Sequence, residues 1–132
     1  MIWMPGQSYR QALPPLSATE LKFQDRLKRD VEALDRARHQ ITATDFLTTE
    51  LEQAGYTVHP QKYSIATQTF SNLEVEIPGS SRADEILVIG GHYGSTVNSP
   101  GPEERVTGAA AVLALAREFV GKIGRASCRE RV

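Results

Sequence analysis

Glu85-Ile86-Leu87-Val88-Ile89-Gly90-Gly91-His92-Tyr93-Gly94-Ser95 is the stretch whose reading decides the fold. Its large aliphatics, Ile86 to Ile89, form a run too short for a spanning helix and show no helical period. A continuous apolar run of β-forming residues predicts a strand buried on both faces at the centre of an α/β sheet. Gly90 and Gly91 end that strand and permit a tight turn. His92 then stands at the strand's C-terminal end, the edge at which open α/β sheets bind ligands. An acidic loop, Pro100 to Glu104, and a helix-like segment, Thr107 to Lys122, follow at βα-loop distance. Neutral imidazole is a common zinc ligand, and carboxylates complete such sites. On spacing alone, the commoner role of a lone strand-end histidine is a structural hydrogen bond, so both readings stand at this point.

Downstream, residues 94–102 are rich in Gly, Ser, Asn and Pro, a polar loop able to wrap a site. From Gly108 the run Ala109 to Ala116 is apolar nearly all round, which predicts a helix buried against the sheet. Arg117, Glu118 and Lys122 mark its wetter end, and Gly121 can terminate it. Upstream, Phe70 to Ile77 alternates, with Leu73, Val75 and Ile77 on one face. Glu74 and Glu76 share the other face, so they read as solvated side chains and not as an acid–base pair. Pro78 to Ser81 is a turn. Tyr56 to His59 and Tyr63 to Ile65 flank Pro60, which predicts an edge strand with His59 in solvent.

Two helices precede the strands. Phe23, Leu27, Val31 and Leu34 recur at helical spacing. Ser17 or Thr19 can cap this helix, although Thr19-Glu20-Leu21-Lys22 lacks an ideal capping box. Its charges, Asp30 among them, read as a solvated face. A second helix starts at Thr42 or Thr44, carries Phe46, Leu47, Leu51 and Ala54, and ends at Gly55 as the C′ residue. His39 lies in the break between the helices and reads as a surface or packing residue. Residues 1–17 form an irregular, proline-containing lead-in, with Trp3, Leu13 and Leu16 able to dock it on the body.

At 132 residues, the chain suffices for one domain with a modest core. Its 15 basic and 16 acidic side chains give no basic stripe for nucleic acid. No apolar run approaches the ~20 residues that cross a bilayer, and Met1 to Gly6 does not read as a signal peptide. The single cysteine, Cys128, provides no disulfide framework.

Residues 123–132, Ile-Gly-Arg-Ala-Ser-Cys-Arg-Glu-Arg-Val, have no apolar period. They resemble one translated frame of a common short-read sequencing adapter, ATC GGA AGA GCG TCG TGT AGG GAA AGA GTG. The natural coding sequence is therefore expected to stop near Lys122, which makes the chain an N-terminal piece of a longer protein.

From Leu21 to Lys122 the chain resembles the N-terminal part of the catalytic domain in the di-zinc aminopeptidases of the M-twenty-eight peptidase family. Leu51-Glu52-Gln53-Ala54-Gly55-Tyr56-Thr57-Val58, Ser71 to Gly79, Ile86 to Tyr93, and Asn98 to Gly101 leading through Thr107-Gly108 carry the resemblance, in that order. It implies a truncated three-layer α/β/α sandwich with a mixed, mainly parallel sheet, zinc-exopeptidase-like. Residues 1–17 would then be a lead-in, 18–122 a partial peptidase catalytic domain and 123–132 a non-native tail. It also implies two zinc ions that activate a water against a peptide substrate, with a glutamate as general base.

By position, His92 matches the first zinc-binding histidine and Glu104 the bridging aspartate. The chain departs from the family at both. Where the family has His-Tyr-Asp-Ser, this sequence has Gly94 in place of the supporting aspartate. Glu104 is one methylene longer than aspartate, and Arg105 replaces the neighbouring asparagine, a cation that disfavours a second metal. The remaining ligands and the general base would lie beyond Lys122. The reading is thus a zinc-aminopeptidase fragment, inactive as it stands; the alternative is a catalytically dead peptidase-like binding or scaffold module. Met4 to Arg10 and Leu13 to Leu16 resemble the segment between a membrane anchor and the catalytic domain of some bacterial members, which implies an anchor upstream and an extracytoplasmic location. With one sheet face and one edge uncovered, the isolated chain is expected to fold marginally or aggregate. Resequencing the source locus across the Lys122 codon checks the tail: independent reads are expected to leave the adapter-like sequence there and continue in natural codons.

Overall fold

The computed structural model describes residues 10–37, 40–93, 103–122, 124 and 126–131. The elements run α1 (Ala18–Arg36), α2 (Gln40–Gln53), β1 (His59–Ile65), β2 (Gln68–Ile77), β3 (Arg82–Gly90), α3 (Glu103–Phe119) and β4 (Ala126–Arg131). The strands form one mixed sheet in the order β1-β2-β4-β3. β1 pairs antiparallel with β2, β2 antiparallel with β4, and β4 parallel with β3. This is a truncated α/β sandwich, the expected class. No helix among the described residues is long and apolar enough to cross a membrane.

Ser17 caps α1 and forms a full capping box with Glu20: the Glu20 amide donates to Ser17 Oγ, and the Ser17 amide donates to the Glu20 carboxylate. That bond to Ser17 also lowers the Glu20 pKa. The box sits at Ser17-x-x-Glu20, two residues before Thr19-Glu20-Leu21-Lys22, which lacks one. α2 starts at Gln40, ahead of Thr42 and Thr44. It ends as expected, with Gly55 at φ +103 and the Tyr56 amide donating to the Leu51 carbonyl. Gly121, at φ +71, follows α3 and also takes a positive φ, but there the Lys122 amide donates to the Phe119 carbonyl. α3 itself begins at Glu103, so Glu103 and Glu104 belong to a helix and not to a loop. The Arg10-to-Ser17 lead-in does not dock through its leucines, because Leu13 and Leu16 are exposed; Trp3 and His39 lie outside the described residues.

One cluster forms the core. Leu34 of α1, Leu47 and Leu51 of α2, Leu73 and Val75 of β2, and Ala109, Leu113 and Ala116 of α3 pack together, with Ile89 of β3 against them. Each large aliphatic buried there contributes about 1.5–3 kcal/mol. The small residues of α3 let it approach the sheet, and α1 packs on α3. All three helices therefore share one core on a single face of the sheet.

β3 corrects the central-strand expectation. It lies at the sheet edge, and Ile86, Leu87 and Val88 are 51, 58 and 58% exposed. The register explains this. Val75 lies opposite Glu130, which lies beside Ile89, and Ile77 opposite Cys128, which lies beside Leu87. Leu87 and Ile89 thus share the core face, while Ile86 and Val88 point to the face that no described helix covers. The tail is paired on both sides as β4. In the backbone register Glu74 stands opposite Arg131 and Glu76 opposite Arg129.

Three helices are tied by charge. Arg117 of α3 donates through Nη1 and Nη2 to both carboxylate oxygens of Asp30 on α1, and through Nη2 to Glu50 on α2. Asp30 is only 6% exposed, so it is not on a solvated face, and Arg117 is not at a wet end. Burial acts to lower the Arg117 pKa, but the hydrogen bonds and charges of Asp30 and Glu50 outweigh it and raise it. Any linked stability is complete below the ordinary arginine pKa and lost only above it, so the tie holds throughout the neutral range. Arg117→Ala strands two carboxylates near the core and is expected to cost about 3 kcal/mol. Removing the exposed Arg82–Glu85 pair by Arg82→Ala is expected to cost less than about 1 kcal/mol. Urea unfolding followed by circular dichroism checks the contrast.

Candidate functional site at the end of β3

His92 stands two residues after β3 and is exposed at the strand's C-terminal end, where the sequence places it. Its two neighbours fix the backbone there. Gly91 lies against the second turn of α3: a Cβ on it would come within 2.7 Å of the Gly108 carbonyl carbon and oxygen and 3.0 Å of the Ala109 nitrogen. The requirement is space and not a turn, since neither Gly90 nor Gly91 has a positive φ. The partner surface is less demanding, because a Cβ on Gly108 would meet the Gly91 Cα at 3.7 Å, an ordinary contact.

Tyr93 fixes the other side. Its phenol donates to the Ser71 carbonyl, at the start of the buried part of β2. Thr44 Oγ1 of α2 lies 3.1 Å from the same phenol oxygen. A phenol carries one proton, and it is spent on Ser71, so Thr44 donates to Tyr93. The strand end that carries His92 is thus held by α3, β2 and α2 together. Nothing in the linear sequence pairs Tyr93 with Ser71 or Thr44. The Gly-Gly dipeptide was the available signal for the α3 contact, although its reason is packing.

Gly94 lies outside the described residues. Glu104 is in the first turn of α3, one helical turn before Gly108, and its side chain and that of Arg105 are outside the described ones. The pairing of His92 with Glu104 is therefore carried by backbone position only. Among the described residues, no three His, Cys, Asp or Glu side chains gather to hold a metal ion. A zinc site needs about three protein ligands, so the described donors do not fit a catalytic zinc. His59, on β1, is exposed and apart from this end of the sheet. Glu74 and Glu76 lie on β2 facing away from the core.

No family model and no curated protein sequence matches the chain. Solved structures do. The glutaminyl cyclase of Fimbriiglobus ruber superposes with a TM-score of 0.67 at 18% identity, covering 93% of this chain and 48% of that one. A leucine aminopeptidase precursor from Bacteroides thetaiotaomicron VPI-5482 gives 0.62 at 15% identity, covering 81% and 45%. A Bacteroides vulgatus ATCC 8482 protein assigned as a zinc-dependent exopeptidase gives 0.62 at 16% identity, also covering 81% and 45%. The chain spans less than half the length of each.

The Gly91 contact generates a pair of opposite outcomes. Gly91→Ala forces backbone against backbone and is expected to destabilise by about 2 kcal/mol. Gly108→Ala, mid-helix with room for a methyl, is expected to be neutral or to stabilise by up to about 1 kcal/mol. Thermal unfolding of the two variants beside the parent measures both. The chain carries just under half of a zinc-exopeptidase-like α/β fold, with the C-terminal end of β3 as its candidate site.

Proposed function

We propose that the chain is the N-terminal part of a zinc-dependent aminopeptidase-type hydrolase domain, acting on the N-terminal residues of peptides, and that these residues alone are inactive. The observation that carries this reading is the placement of His92. It stands in the open at the C-terminal end of β3, beside the start of α3, in a fold shared with an aminopeptidase precursor and a zinc-dependent exopeptidase. His92 would be the chain's contribution to a metal centre, with Glu104 at the second ligand position. Two such donors do not make a catalytic zinc site, so no chemical step is assigned to them.

Glutaminyl cyclases share the fold equally well. The ordered motif match around His92 and Tyr93 supports the aminopeptidase side of that choice. Gly94 and Arg105 support a second reading, a peptidase-like binding module without catalysis.

The uninterrupted reading frame, recovered from source DNA, tests the proposal. It is expected to release leucine from leucine p-nitroanilide in a chelator-sensitive reaction, and His92→Ala is expected to reduce that rate by about 100-fold or more. The 132-residue chain is expected to release none. Cyclisation of an N-terminal glutamine without aminopeptidase turnover would overturn the substrate class. A folded, inactive full-frame protein would favour the binding module.

A further inference from the structure

We propose that the N-terminal end of α1 is a membrane-contact element, which sets an apolar tip into an anionic lipid surface and lays the cations behind it on the headgroup phosphates. Among the described residues, the body first covers α1 at Leu27, which packs on the core; residues 11–26 are exposed throughout. Within that exposed segment stand Leu13, Leu16, Leu21 and Phe23, at 80, 48, 47 and 40% exposure. They do not form one stripe. Leu21 and Phe23 point about 200° apart around a helix of 3.6 residues per turn. Leu13 lies ahead of the helix, in the non-helical segment with Pro14 and Pro15. A groove on a protein partner takes one face of an amphipathic helix. A lipid interface takes a tip that is apolar on several sides.

The charge behind the tip selects the kind of surface. The even balance over the whole chain hides a local excess: from residue 22 to residue 29, Lys22, Arg26, Lys28 and Arg29 stand against one carboxylate, Asp25. These cations begin beside Phe23 and end about 9 Å beyond it along the helix axis. That span matches the ~5–10 Å to which interfacial helices bury an apolar face below the headgroups. Glu20, the carboxylate nearest the tip, is turned back onto the Ser17 amide as half of the capping box. A second copy of the chain brings the same surplus of cations to the contact and no acid to meet it, which leaves an anionic surface as the complement. The inference rests on residues 13–29 alone and depends neither on the hydrolase reading nor on an anchor upstream.

The test is flotation of the 132-residue chain with vesicles of phosphatidylglycerol and phosphatidylcholine in equal parts, beside vesicles of phosphatidylcholine alone. Each cation near an anionic surface strengthens binding by roughly fivefold. The chain is therefore expected to float with the anionic vesicles and to bind the neutral ones about tenfold or more weakly. Salt raised to about 0.5 M is expected to release it. Arg26→Glu combined with Arg29→Glu is expected to weaken binding by about 30-fold or more, and Phe23→Ser by about tenfold. These changes fall at exposed positions, and an unaltered circular dichroism spectrum checks that the fold is kept. Val88→Lys, on the other exposed apolar run, is expected to leave binding unchanged. Absence of flotation, equal binding to neutral vesicles, binding that survives the folded α1 variants, or binding that falls only with Val88→Lys would each overturn the proposal.

Discussion

The contact between Gly91 and Gly108 is the constraint on which the arrangement rests. A parallel strand pair needs a crossover that returns the chain to the same end of the sheet. Here α3 makes that return, and it lies close because Gly91 carries no side chain at the crossing. The closeness brings Ala109, Leu113 and Ala116 down onto Leu73 and Val75, and α1 and α2 then pack on what α3 presents. The same contact sets the backbone of His92. The core and the candidate site are thus two results of one steric condition.

Much of the fold was legible because period and punctuation are local signals. The alternation from Phe70 to Ile77, the alanine-rich helix, Gly55 and the edge-demoting Pro60 all appear where the pattern placed them. What misled was partner-dependent. Ile86 to Ile89 has the composition of a buried central strand, yet burial needs a neighbour on each side and a layer on each face. Composition reports what a strand is suited to, and the structure reports what surrounds it. The site was legible to the same depth: His92 is at the strand end, while its anchors through Tyr93 depend on residues 22 and 49 positions away.

The charged tie carries a similar lesson, and here the signal was present. Asp30 lies three residues after Leu27 and four before Leu34, on the apolar stripe itself. Glu50 follows Leu47 by three, and Arg117 follows Leu113 by four. A charge in phase with a buried stripe needs a partner, and three such charges of compatible sign on three helices are enough to suggest one another.

The tie between Asp30 and Arg117 also has a consequence in time. The two residues are separated by 87 positions. At about 5–20 residues per second, a ribosome needs roughly 4–17 s to add the second after the first. Throughout that interval α1 carries a carboxylate destined for the interior with no cation to receive it. The docking of α1 through this tie therefore waits until α3 has emerged, however early α1 itself is made.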